Sequence, residues 1–309
     1  MAENTEFIRF TNKNITLNAI VVFACLLWSY FTGGIRAEYY YLVLIWLTGY
    51  YFTEKTRRFI LAFSIFIIYW IVYDSMRVIP NYQVSQVHIK QPYELEKLLF
   101  GINETGHILT PNEYFNIHSK PFLDILAGLF YINWVPIPLA FAVYLYFKDK
   151  YLFTKFSLVF LLVNLVGFVI YYIYPAAPPW YVKLYGFDLH LGVPGNSAGL
   201  ARFDAITGIP VFQSIYNKNA NVLAAIPSLH AAYPVIVLYY GIKKGLKIMN
   251  WFFAVFMLGI WFSAVYSGHH YLVDIGLGVT VALVVIVVFE KLSLNPFVNN
   301  KIQRFIKLI

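Results

Sequence analysis

Charge is what this chain has least of. Of its 309 residues 12% are Asp, Glu, Lys or Arg, about half the share of an ordinary soluble domain. Hydrophobic residues make up 60%, and the mean hydropathy is +0.64. Such a balance excludes a soluble globular fold and leaves an integral membrane protein. Cysteine is almost missing too: the single Cys25 lies in an apolar run, so no disulfide framework exists within one chain. The alternating hydrophobicity of barrel strands is missing, which leaves spanning helices of about 20 residues. A cleavable signal is also lacking. The first apolar run follows a polar stretch, 4–14, and has no small-x-small exit, so it reads as a retained helix. Internal repeats and low-complexity tracts are absent as well.

The charge that is present is mostly positive, a net +8. In a soluble protein this would suggest nucleic acid. Here the basic residues occupy short loops between apolar runs, where the positive-inside rule explains them and no nucleic-acid partner is implied. Apolar runs at 15–35, 39–52, 59–79, 122–147, 152–174, 228–242, 250–266 and 271–289 give about eight expected spans. The turns with Lys55, Arg57 and Arg58, with Lys148, Lys150 and Lys155, and with Lys243, Lys244 and Lys247 then share one side with the basic tail. That side is expected to be cytoplasmic, as are both termini. The expected fold is an all-α polytopic membrane protein, a single integral membrane domain over 1–309 with short interfacial helices.

Two long segments, 80–121 and 175–226, are expected on the opposite, outer side. Within the first, Tyr93–Phe100 is amphipathic and suits the interface. Thr110-Pro111-Asn112-Glu113 reads as a capping box with proline at the first helical position. Asn103-Glu104-Thr105 fits a glycosylation sequon, which matters only in a eukaryotic lumen. Pro136 and Pro138 are expected to kink the fourth span. Tyrosine clusters at 39–41, 50–51 and 171–172 suit an interfacial belt.

The residues able to do chemistry gather in two stretches, Ile226–His230 and Ser267–Asp274, separated by two apolar runs and a basic turn. An antiparallel helix pair returns both to one membrane edge. His270 and Asp274 are four apart and share a helix face, so the carboxylate can fix the imidazole tautomer and leave the other nitrogen as nucleophile or base. His230 lies just inside the sixth span, behind Ser228, which can cap that helix; a helix N-terminus is an anion site. A set of merely structural interfacial histidines is the alternative, and ionisable groups at membrane depth in two clusters favour function over it. Zinc is the further rival. His269 and His270 face apart and Asp274 is the one nearby carboxylate, so no metal is expected.

Pro227-Ser228-Leu229-His230 resembles the P-S-x-H motif of the type 2 phosphatidic acid phosphatase superfamily, and 263–274 resembles its S-R-x-x-x-x-x-H-x-x-x-D motif. Tyr174–Tyr181, with its Pro178-Pro179-Trp180 turn, and the doubled His269-His270 resemble the inositol phosphorylceramide synthase branch. The resemblance covers roughly 120–290, the expected catalytic core, and implies a six-helix phosphatase-like arrangement within the eight spans. It implies that His270 attacks phosphorus to give a phosphohistidine, that Asp274 orients it, and that His230 shuttles the proton, with no metal or other cofactor.

Two departures stand out. No lysine or arginine lies between Phe168 and Val182, where the superfamily's first motif has both, and Ala264 replaces the arginine of the third. A phosphodiester carries one negative charge and needs less compensation than a phosphomonoester dianion. Transfer of a phospho-headgroup is therefore expected over dephosphorylation. By resemblance the donor is phosphatidylinositol and the acceptor a ceramide or similar lipid alcohol; lipid phosphate hydrolysis is the alternative, and a non-catalytic transporter a more distant one. For substrate binding the candidates are Arg77 with Asp74, which could equally form a local ion pair, Lys183 and Arg202, which could be solvated loop charges, and Trp180, which could be an interface anchor. His269 and Ser228 complete the set. The active site is expected at the outer face of a bacterial inner membrane.

Overall fold

The computed structural model describes residues 9–32, 34, 36–217 and 221–309. Part of the polar stretch 4–14, positions 33 and 35 at the end of the first run, and 218–220 of the second long segment lie outside the described residues. The described residues are mostly helical, with one two-stranded hairpin, and divide into two compact units, 1–78 with 297–309, and 79–296.

The first unit holds α1 (Asn12–Phe31), α2 (Ala37–Phe52) and α3 (Glu54–Ser75). Thr53 starts α3 by a reciprocal cap with Thr56. Asp74, 4% exposed, is ion-paired to both Arg36 and Arg77 and accepts from the Tyr39 hydroxyl. A carboxylate in an apolar helix needs such partners, and this one has them within its own unit.

The second unit opens with α4 (Lys90–Phe100), which leaves Leu95, Leu98 and Leu99 exposed as an interfacial helix would. The hairpin Ile102–Glu104 and His107–Leu109 turns at Thr105 and Gly106, both at positive φ. α5 (Pro111–Ile117) has the expected Thr110/Glu113 capping box with Pro111 in its first turn. Then come α6 (Pro121–Tyr131) and α7 (Pro136–Lys148), bent by 43° where Pro136 interrupts the hydrogen-bond ladder. α8 (Lys150–Ile173) is followed by the short α9 (Pro179–Tyr185), α10 (Ala201–Thr207) and α11 (Val211–Tyr216). α12 (Leu229–Lys244), α13 (Ile248–Tyr266) and α14 (Leu272–Leu292) complete the unit. The chain ends in α15 (Pro296–Leu308).

Among the described residues, five helices, α1, α3, α8, α13 and α14, are long and apolar enough to cross a membrane, and α6 with α7 makes a sixth if the bent pair is counted as one span. α2 and α12 have 16 residues each, about 24 Å of helix against a hydrocarbon core of about 30 Å.

α12 is the axis of the second unit, packed on α13, α14 and α8. Gly245, at φ 75°, ends α12 in the left-handed conformation and turns the chain into α13. Away from the histidines, Glu290 of α14 binds Lys155 of α8, Lys243 of α12 and the Tyr240 hydroxyl. The two long segments are zipped together by backbone hydrogen bonds: His88 to Pro175 and Ala177, and Ala176 to Leu223 and Ala225. The Asn81 amide bonds the carbonyls of Tyr171 and Leu223, tying that zipper to the end of α8.

The buried ammonium of Lys155 needs Glu290. Glu290→Gln is expected to destabilise the protein by about 1–3 kcal/mol, and Lys155→Met added to it to recover most of that, since both charges are then gone. Thermal unfolding in detergent checks both.

Candidate active site

Two helix starts meet at one end of the second unit. Ser228 is the N-cap of α12: its hydroxyl accepts from Ala231 N–H at 3.4 Å, and its own N–H donates to the Asp274 carbonyl at 3.0 Å. That backbone contact joins α12 to the first turn of α14, and it needs Gly278, where an added Cβ would stand 2.1 Å from the Ser228 oxygen.

The junction brings the three expected residues together. His230 Nδ1 lies 3.1 Å from His270 Nε2, and His270 Nδ1 lies 3.5 Å from Asp274 Oδ2. Asp274 is fully buried, and its Oδ2 also accepts the Tyr271 N–H at 2.8 Å. Burial pushes the His270 imidazole down to about 4, so it is neutral at ordinary pH, the form that can act as a nucleophile. His230 stands edge-on to Trp134, with its Nδ1 3.3 Å from the Tyr131 hydroxyl. His269 turns the other way. It is stacked between Tyr131 and Tyr216, with Nε2 3.2 Å from the Ser197 carbonyl, and burial together with the neighbouring imidazoles holds it well below the usual histidine range.

The remaining candidates lie elsewhere. Trp180 is buried with Ile89, Ala177, Tyr181 and Leu223, and its backbone N–H donates to the Gly268 carbonyl at 3.0 Å, so its segment braces the histidine loop. Trp180, Lys183 and Arg202 line a cavity of about 690 Å³ that shares Ser267, Gly268 and Tyr271 with that loop but not the histidines. Lys183 binds Asn116, and Arg202 binds Asp124 at 2.6 Å and lies over the Tyr266 ring. Asp74 and Arg77 pair with each other in the first unit. Among the described residues, no group of three or more His, Cys, Asp or Glu side chains is placed to hold a metal ion.

Three further residues touch this machinery, and no sequence motif singles them out. The Asn112 amide donates to the carbonyls of Val265 (2.8 Å) and His270 (2.9 Å). Tyr131 contacts both His230 and His269. Glu96 accepts from the first N–H groups of α14. Asn112 and Glu96 were legible only as parts of a capping box and an amphipathic helix.

The PAP2 superfamily profile matches residues 104–288. The chain belongs to the PAP2 superfamily. It is 46% identical over 285 residues to the phosphoinositol dihydroceramide synthase of Bacteroides thetaiotaomicron, covering 90% of this chain and 92% of that one. The inositol phosphorylceramide synthase catalytic subunits of Saccharomyces cerevisiae and Schizosaccharomyces pombe are 29% and 28% identical over 76% and 78% of this chain. Against those two it spans 58% and 56% of their length. No solved structure matches it.

Gly278→Ala is expected to force α14 away from Ser228 and to separate the two imidazoles. Activity should fall at least about tenfold, since small displacements of reacting groups are costly, while the helical circular-dichroism signal stays unchanged.

Proposed function

We infer that this protein moves a phosphoinositol headgroup from a glycerophospholipid to a ceramide-type lipid alcohol, by two displacements at one histidine. The observation that carries the transfer chemistry is the 3.1 Å approach of His230 Nδ1 to His270 Nε2, with Asp274 buried behind the second ring. The headgroup and acceptor follow the name of the Bacteroides relative, which makes dihydroceramide the acceptor to supply first; the glycerophospholipid donor follows the resemblance noted in the sequence.

In the first step the lone pair of His270 Nε2 attacks phosphorus. The bond to the diacylglycerol oxygen breaks, and that oxygen takes a proton from His230. Asp274 Oδ2, at Nδ1 of His270, stabilises the positive charge that develops on the ring. In the second step His230 removes the proton from the lipid alcohol, whose oxygen attacks phosphorus and releases His270. The first turn of α12 contains no acidic residue and is capped by a neutral hydroxyl. It therefore stays the positive end of its helix, suited to a singly charged phosphodiester.

The remaining topology is proposed on the same footing. α2 and α12 also cross, giving eight spans with both termini cytoplasmic, because Lys243 and Lys244 end α12 opposite the histidines and positive loops stay inside. The active site then opens at the outer face, and residues 120–290 hold the catalytic core.

Purified protein in vesicles with phosphatidylinositol and dihydroceramide should form an inositol phospholipid and an equal amount of diacylglycerol, resolved by lipid mass spectrometry. His270→Ala should lower the rate at least about a thousandfold, and His230→Ala nearly as far. Release of free inositol phosphate without acceptor, at the rate seen with acceptor, would show a hydrolase instead.

A further inference from the structure

The superfamily profile begins at residue 104, yet the first turn of α14 is held by a side chain that precedes it. Glu96 is 0% exposed, although it sits on an 11-residue surface helix whose neighbours Leu95 and Leu98 are 46% and 80% exposed. Its Oε1 accepts the Leu272 N–H at 2.9 Å and its Oε2 the Val273 N–H at 3.1 Å. These are the first two residues of α14, whose N–H groups have no acceptor within the helix. The N-cap position is Tyr271, where Ser, Thr, Asp or Asn would be usual, and its N–H is taken by Asp274. A carboxylate 177 residues away from Val273 thus does the work of a local cap. Charge-assisted N–H bonds of this kind are strong, and a helix N-terminus favours a negative partner.

We propose that Glu96 is a positioning residue for the transfer reaction: by gripping the N–H groups of Leu272 and Val273 it fixes the first turn of α14, and through that turn sets His270 against Asp274 and His230. The inference rests on the phosphotransfer reading of the site. The grip needs an ionised carboxylate. Asp274 and Tyr271 face Glu96 from the α14 side, Tyr93 and Lys97 flank it on α4, and Glu113 of α5 binds Tyr93. Lys97 is bonded to the Tyr93 hydroxyl at 3.1 Å. Burial, with the Asp274 charge adding to it and the two N–H bonds opposing it, raises the Glu96 carboxyl to about 7. Protonation below that value removes an acceptor from one N–H. Turnover should therefore fall as pH drops through about 7, where His270, held down near 4, is still neutral.

The test measures kcat and KM of the full chain in phosphatidylinositol–dihydroceramide vesicles from about pH 5 to 8.5. Wild type should show an acid limb in kcat centred near 7. Glu96→Gln should lower kcat at least about tenfold at high pH, keep KM within about twofold, and lose that limb. Glu94→Gln, on the same helix with its side chain 58% exposed, should match wild type. Leu272→Pro removes one donor at a position where proline suits a helix start, so it should lower kcat and move the limb to higher pH. It decides the matter if Glu96→Gln fails to give a monodisperse protein. A wild-type profile flat through 7, a Glu96→Gln enzyme with wild-type kcat, or variants that lose yield while the limb stays put would overturn the positioning role alone. A wild type that makes no inositol phospholipid at any pH would overturn the transfer reading and this inference with it.

Discussion

The hydrogen bond from the Ser228 N–H to the Asp274 carbonyl, 3.0 Å long, is the contact on which the site depends. It joins two backbones, so its length does not depend on side-chain rotamers. His230 lies two residues after one partner and His270 four before the other, which leaves little freedom in how the imidazoles meet. The absence of a side chain at Gly278 is what lets α14 come this close. α13 completes the arrangement: α12 leaves the junction, Gly245 reverses the chain, and α13 returns it to the loop that carries His269 and His270.

Around that junction the backbone of the histidine loop is bound group by group. Gly268 O receives Trp180 N–H, Ser267 O receives Gly199 N–H, and His270 O receives the Asn112 amide. A non-helical loop at the edge of a membrane must satisfy its polar groups with protein, since lipid offers no partner. The two long segments supply those partners, and each is held in turn by the zipper through His88, Ala176 and Leu223. They are therefore structural walls of the site, and the same contacts explain why Trp180 is buried among apolar neighbours instead of anchoring in the interface.

The helix starts that carry the candidate triad could be read from the sequence because each is local, and the 40 positions between His230 and His270 were closed by the expected antiparallel helix pair. His270 stands just before α14, which starts at Leu272, so it meets Asp274 from the turn ahead of the helix and not from a shared helix face, while Ser228 announces a helix start two residues before His230. The capping box at Thr110 and the break at Pro136 were legible for the same reason: each rests on a few adjacent residues. Glu96, Asn112 and Tyr131 were not. Their contacts span 177, 158 and 99 positions, and periodicity reports which side of an element is buried, not which segment covers it. Arg202 shows the converse: a lone charge in sequence turns out to have its counter-ion elsewhere, at Asp124, while Asp74 keeps the local partner Arg77 and gains Arg36 as a second. Hydropathy likewise found α2 and α12 but could not say how helices of 16 residues relate to a thicker bilayer.

The electrostatics of the two helix starts differ, and the difference bears on the missing basic residues. At α14 the N–H groups of Tyr271, Leu272 and Val273 are all taken by the carboxylates of Asp274 and Glu96, which cancels the positive end of that helix dipole. At α12 the cap is a serine hydroxyl and the first turn has no acid. A phosphate arriving at His270 would thus meet one favourable helix terminus rather than two, and Ala264 stands where the superfamily motif has an arginine. One uncompensated terminus carries about half an elementary charge. That matches the single charge of a phosphodiester far better than a dianion, and it gives a physical reason for such a site to favour moving a headgroup between lipids over removing a terminal phosphate.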